Sequence, residues 1–356
     1  MRRKFEDFHD GAKDGLEPLE PLDLQKIQDF DGLLQAMGKT AFGGRTLGEA
    51  ADVLTEMVRD RECAIIGTFS GAMSVAKMGL LICEMIDRGW LSAVITTGAL
   101  VAHGLIETLG RAHYKCPTDR GDRELYFQGY NRIYDTLEME ANLDYAEEVF
   151  REVLEGLDRE QVWCSSSLCR ELGRRLAGQT DQPGILRNAY LKEVPVFIPA
   201  FTDSELGLDL AIHMARDALS AGAAFPEALT RMSLSFNPFL DLGAYAQKIV
   251  AAKKLGIFTI GGGVPRNWAQ QVGPYLELLH TRLNLDLPEA RFQYGVRLCP
   301  EPAHWGGLSG CTYKEGVSWG KFMAAEDGGR FAEVLCDATI AWPVLLKAVM
   351  QRVDKK

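Results

Sequence analysis

From Glu62 onward, short apolar runs of strand length alternate with amphipathic stretches of helical period, and nothing else in the chain constrains its fold as tightly. Residues 61–68 (Arg-Glu-Cys-Ala-Ile-Ile-Gly-Thr) read as a buried strand. Residues 72–86 follow with Val75, Met78, Leu81, Ile82 and Met85 at helical spacing, and Arg88-Gly89 closes that helix. Further strands are expected at residues 91–98, 194–199, 231–236, 255–260, 291–298 and 331–336. Helices are expected near 141–156, 159–177, 242–254, 266–282 and 341–353. Strands alternating with helices imply an α/β fold, a mainly parallel sheet covered on both faces. No Pro/Gly/Ser-rich linker divides the chain, so one catalytic domain is expected over residues 61–356. Residues 1–60, polar and loop-rich with helical patches, read as an N-terminal extension packing on it.

The 356 residues can bury a large core without disulfides or a structural metal. The formal charge of −10 argues against nucleic acid as a partner and is compatible with a cationic small substrate. No uncharged apolar run reaches membrane-spanning length, and the basic opening Met1-Arg2-Arg3-Lys4 is not followed by an apolar segment. The expectation is a cytoplasmic protein without membrane contact. The eight cysteines form no CxxC pair and read as buried free thiols of a reducing compartment, so no metal site is expected.

Small and acidic residues gather where the expected strands end, which in open α/β sheets is where ligands bind. Gly261-Gly262-Gly263 follows one strand and precedes a helix. Such glycines let backbone N–H groups approach a phosphate, or simply make a tight turn. Gly67-Thr-Phe-Ser-Gly71 and Thr96-Thr97-Gly98-Ala99 end two more strands and offer hydroxyls. Asp203 ends another, with Glu205 and Asp209 close behind. It is suited to a ribose hydroxyl, a substrate ammonium or an ordinary helix N-cap. Asp337-Ala338 ends the last. Lys321, beside Trp319 and Gly320 and after Glu315, is either a solvated surface lysine or one desolvated against an aromatic wall, with a neutral amine available for attack.

The segment Val317-Ser318-Trp319-Gly320-Lys321 resembles the active-site signature of the deoxyhypusine synthase family, in which that lysine forms the enzyme–substrate imine. Val94-Ile-Thr-Thr97, Asn131-Arg-Ile133, Val194-Pro-Val-Phe-Ile-Pro-Ala-Phe-Thr-Asp203, Ile260-Gly-Gly-Gly-Val264 and Asp337-Ala338 are similar in the same order, from about Gly67 to the C-terminus. The resemblance implies a Rossmann-like fold and an NAD site built from Ser70, Ser74, Thr96, Thr97, Asp203, Gly263, Asp337 and Ala338. It also implies a homotetramer with active sites between subunits. In the family, NAD takes hydride from the amine-bearing carbon of a polyamine and the lysine attacks the resulting imine. A diamine leaves, an acceptor amine displaces the lysine, and the retained NADH reduces the product.

The resemblance assigns Glu315 to a polyamine nitrogen, helped by Asp209 or Glu205, and Trp319 to the wall of the substrate tunnel. Departures concentrate at the substrate. Trp268 is read as standing where the family has a catalytic-site histidine and Leu308 where it has an acid. Leu208 replaces another acid, with Asp209 one place late, and Ala102-His103 replaces a Glu pair. The retained lysine and altered acids lead to an expected aminobutyl-type transferase that couples small amines. From spermidine, putrescine or agmatine it would make a homospermidine-like or guanidino-substituted product. Deoxyhypusine synthase proper, modifying a lysine of a translation factor, and an inactive NAD- or polyamine-binding relative are the alternatives.

Overall fold

The computed structural model describes residues 3–71 and 73–355. Met1 and Arg2 of the basic opening, and Ala72 at the start of the first expected body helix, lie outside the described residues. Six strands form the central sheet: β1 (Cys63–Phe69), β2 (Ala93–Thr96), β3 (Val196–Phe197), β4 (Lys254–Ile260), β5 (Tyr294–Leu298) and β6 (Arg330–Val334). All pairs are parallel, in the order β6-β5-β4-β1-β2-β3. The chain builds outward from β1 to β3, then crosses back to lay β4 against β1. That reversal opens a crevice between the carboxyl ends of β1 and β4.

The period-2 pattern of each strand divides its side chains between two cores. Ile65, Phe69, Val94, Phe258, Ile260 and Val296 face one core, which they share with helices Phe42–Arg59, Gly98–Thr108 and Ala338–Asp354. Ile66, Ala93, Ile95, Phe197 and Ile257 face the other, with Tyr245, Val272, Tyr313 and Phe322. Helix Phe42–Arg59 buries Leu54 and Met57 completely, each worth roughly 1.5–3 kcal/mol. The preceding helix, Phe30–Gly38, is tied to the C-terminal helix by buried Asp31, which accepts from Arg352 Nε at 2.6 Å and Lys355 Nζ at 2.8 Å.

Several expected elements differ. The helix expected over 72–86 begins only at Gly79, because Lys77 has a left-handed φ of 64°. Val75 and Met78 still pack inward, from turns. Of the strand expected over 231–236 only Ser235–Phe236 forms, paired with Val162–Trp163 apart from the main sheet. The helix expected from 159 therefore starts at Ser165. The helix expected over 266–282 is two, Gly263–Gln270 and Val272–Leu283, since Pro274 has no N–H to give the carbonyl of Gln270. A three-stranded antiparallel sheet of Tyr114–Lys115, Tyr130–Ile133 and Thr136–Met139 was not foreseen. The cysteines are free, but Cys63, Cys116, Cys311 and Cys336 are only half-buried. Among the described residues no helix is long and apolar enough to cross a membrane.

Candidate active site

The β1 and β4 loops are stapled together at the crevice. Ser70 Oγ donates to Ile260 O at 3.1 Å and accepts from Gly262 N at 2.9 Å. Gly261 has φ 79°, and a Cβ on Gly262 would lie 2.6 Å from Ser309 Cα, so only glycine fits either position. Helix Gly263–Gln270 starts here with free backbone N–H groups. The neighbouring loops approach as tightly: a Cβ on Gly98 would meet Ser204 at 2.1 Å. Ser204, not Asp203, caps helix Glu205–Ser220, accepting from Gly207 N at 3.2 Å, and the Asp203 carboxylate stays exposed. Thr97 caps helix Gly98–Thr108, and Asp337 caps the last helix ahead of buried Ala338.

All four expected cofactor hydroxyls make hydrogen bonds within the fold, and those of Thr96 and Ser74 are also fully buried. Thr96 Oγ1 donates to Phe69 O at 3.0 Å, and fully buried Ser74 donates to Leu100 O at 2.8 Å. Accessible at the crevice are glycine backbone, one helix N-terminus, the partly exposed side chains of Ser70 and Thr97, whose hydroxyls already donate to Ile260 O and Gly71 O, and the carboxylates of Asp203 and Asp337. That donor set suits a dinucleotide: amides for the diphosphate and acids for ribose hydroxyls.

Lys321 does not lie on a strand-end loop. Its carbonyl accepts from Phe292 N at 2.9 Å, ahead of β5. Its side chain runs to helix Gly263–Gln270, where Nζ donates to Asn267 Oδ1 at 3.0 Å. Nζ is 5.9 Å from the Trp319 ring centre, and Trp319 is 64% exposed. Burial, and then the nearby Arg266 guanidinium, lower the pKa of the Lys321 ammonium, while Cys311 and Glu315 oppose the shift.

The signature's glycines have geometric reasons: Gly320 sits at φ 67°, and a Cβ on Gly316 would strike the Phe322 ring at 2.5 Å. Glu315, in the first turn of Tyr313–Val317, is exposed on the same segment. That segment is gripped by two buried arginines. Arg297 donates to Ser309 O at 2.6 Å and Cys311 O at 2.7 Å, and Arg266 donates to Cys311 O at 2.7 Å.

The structure therefore gathers Lys321, Asn267, Trp319 and Glu315, with Arg266 behind them. Trp268 is not among them. One residue on from Asn267, about 100° around the helix, its ring stacks on Tyr245 at 5.0 Å and meets Phe197 at 5.7 Å in the second core. Asn267, Arg266 and Arg297 were missed from sequence. For Asn267 the signal was present, one place before the residue singled out; for the arginines there was none.

Asp209 also lies elsewhere. Its helix packs into the first core, on the opposite face of the sheet from Phe322. Asp209 lines a groove of about 580 Å³ with Glu205, Glu140, Asp144 and Glu147. Burial, reinforced by Glu147 and Glu205, pushes its carboxyl up to about 6.

Comparison with known proteins gives the chain's family and fold. The family model described as deoxyhypusine synthase matches residues 32–349. A Methanosarcina acetivorans protein named probable deoxyhypusine synthase 2 is 31% identical over 340 residues, 94% of this chain and 90% of its own. An Archaeoglobus fulgidus protein named probable deoxyhypusine synthase 1 is 32% identical over 332 residues, covering 93% and 97%. The Chlorobaculum parvum deoxyhypusine synthase-like protein is 29% identical, covering 92% and 88%. In fold, an Entamoeba histolytica crystal structure bearing the deoxyhypusine synthase name superposes with a TM-score of 0.58 at 14% identity, over 94% of this chain and 97% of that one. With its α/β sheet, its lysine signature and these relatives, the chain belongs to the deoxyhypusine synthase family, whose members are NAD-dependent aminobutyl transferases.

Proposed function

We propose that this protein is an NAD-dependent aminoalkyl transferase that joins small amines through a covalent intermediate on Lys321. The observation that carries the reading is the setting of that lysine. It is half-buried, held by a neutral amide instead of a carboxylate, and backed by a guanidinium, which together favour the neutral amine. NAD, when bound, supplies hydride acceptance from the donor's amine-bearing carbon and its return to the product. Ser70, Thr97, Asp203, Gly263, Asp337 and Ala338 would hold it. Ser74 and Thr96 would serve by fixing loop positions, since their side chains are fully buried as well as hydrogen-bonded within the fold. Lys321 Nζ then forms a C–N bond to the oxidised donor carbon as a diamine leaves. It is displaced in turn by the acceptor amine.

Glu315 and the Asp209 groove offer charge to the cationic ends of a polyamine. They lie on opposite faces of one chain's sheet, so we infer that a second copy brings its groove to the first copy's lysine, in a homotetramer with sites between subunits. Incubation with NAD and labelled spermidine, putrescine or agmatine, read by mass spectrometry, tests the reading. A labelled small amine supports it, and label found only on a protein lysine supports deoxyhypusine synthase proper. Borohydride trapping should add an aminoalkyl mass to the peptide carrying Lys321. Its absence, with no product from any amine tried, would leave an inactive binding relative.

A further inference from the structure

His103, His113 and Glu138 come from three separate segments: helix Gly98–Thr108, the link before Tyr114, and the strand Thr136–Met139. Their ligand atoms lie within 4.8 Å of one another, and all three side chains are at least nine-tenths buried. Glu138 Oε1 is occupied: it accepts from Met139 N at 3.0 Å and Asn142 Nδ2 at 2.8 Å. Oε2 is left to the histidines, 3.4 Å from His103 Nδ1 and 2.5 Å from His113 Nε2. The shorter contact is not a hydrogen bond in direction, and the buried His113 Nε2 has no hydrogen-bond partner among the described residues. On its outer side His103 Nε2 is 4.0 Å from Glu205 Oε1.

We propose that His103, His113 and Glu138 form a binding site for a divalent transition ion of borderline softness, zinc being the natural occupant. Two imidazoles and one monodentate carboxylate make a three-ligand zinc set, with a fourth position for water. Ligands about 2.1 Å from a tetrahedral ion are about 3.4 Å apart, so the His103–Glu138 spacing already fits. The His113 ring needs to back away by roughly 1 Å, relieving its misdirected contact. Asn142 and the Met139 amide orient the carboxylate. Glu205 is placed to take the outer N–H of His103, the usual support behind a ligating histidine.

One neighbour opposes the ion. Lys77 Nζ lies 2.9 Å from His113 Nδ1, which sets the tautomer carrying hydrogen on Nε2, the form that cannot ligate. Lys77 also pairs with Glu107 and its side chain is half exposed, so it can turn to that partner when metal enters. The ion would pin the small antiparallel sheet to helix Gly98–Thr108, and hence to the Thr97 loop at the crevice. The sequence expectation of no metal rested on the cysteines, whereas this cluster joins residues 35 apart.

The test uses the purified full-length protein, dialysed against chelator and titrated with cobalt(II), then with zinc in competition with a chromophoric chelator. Expected are visible d–d bands of tetrahedral cobalt at one ion per chain, displaced by zinc. His113→Ala and His103→Gln should each weaken zinc by about 100-fold or more, and Glu205→Gln by about tenfold. Lys77→Met should bind zinc more tightly than wild type, the result a purely hydrogen-bonded cluster does not predict. Should the histidine variants fail to fold, the wild-type cobalt spectrum and Lys77→Met decide. Absence of d–d bands at saturating cobalt, or zinc affinity unchanged in folded histidine variants, overturns the site and leaves the Lys321 chemistry untouched.

Discussion

Lys321 and Asp209 occupy opposite faces of the same sheet, and burial acts on both with opposite results. At Lys321, desolvation and the Arg266 guanidinium disfavour the ammonium. At Asp209, desolvation and the carboxylates of Glu147 and Glu205 disfavour the carboxylate. Neither forms an ion pair among the described residues: the partner of Lys321 is the Asn267 amide, and Glu315 and Cys311 oppose its shift only in part. In the proposed reaction the first environment would prepare a nucleophile and the second a cation site, because a bound ammonium would recover what Asp209 loses on burial. One physical term thus serves two steps of a single proposed reaction.

The largest expected effect breaks the first half of the comparison. Lys321→Ala and Lys321→Arg should both abolish product while leaving NAD binding and thermal stability near wild type, because a guanidinium stays protonated at any working pH. Product formed at the normal rate by Lys321→Ala would end the covalent mechanism.

Asn267→Asp converts the Lys321 site toward ordinary lysine chemistry. A carboxylate close to Nζ should raise the ammonium's pKa by about 1–3 pH units. The rising limb of the rate profile should move alkaline by that amount, with activity at pH 7 down about tenfold or more. A profile that keeps its position would show that the lysine's protonation does not govern the rate.

Removing an acid sharpens the second half. Glu315→Gln or Asp209→Asn should each raise the donor's KM about tenfold, a charge-assisted hydrogen bond being worth roughly 1.5–3 kcal/mol. An unchanged KM in either variant removes that residue from the donor site.

Asp209 also leaves a mark on stability. Its folded pKa of about 6 lies above the usual aspartate value, so protonation favours the folded state. That contribution is complete below about pH 4 and is lost as pH rises through about 6. The urea unfolding free energy of wild type should therefore fall relative to Asp209→Asn across this window, by up to about 2 kcal/mol after solvent screening. Added spermidine should narrow the gap. Parallel curves would mean Asp209 is better solvated than its surroundings imply.

The smallest effect concerns Trp268. Trp268→Phe should cost about 1 kcal/mol or less of stability, with kcat and KM unchanged, because the ring packs on Tyr245 and Phe197. A large loss of activity would return Trp268 to the substrate site.

By itself the sequence determined those features whose signal is local. Strand and helix alternation follows from periods of two and 3.6, and the glycine turns at Gly261–Gly263 and Gly320 follow from backbone conformations that side chains obstruct. The glycines of the lysine signature follow for the same reason, since Gly316 and Gly320 answer to geometry within one short segment. Tertiary structure alone decided what depends on which surfaces meet. It turned Asn267 toward Lys321 across 54 residues and Trp268 away, a choice made by about 100° of helical rotation. It buried Arg266 and Arg297 behind the lysine, engaged the hydroxyls of Ser74 and Thr96 within the fold, and set Asp209 on the far face. It also drew His103, His113 and Glu138 together. Local periodicity says which residues face inward, but which of them touch, and at what cost in desolvation, is settled only when distant segments pack.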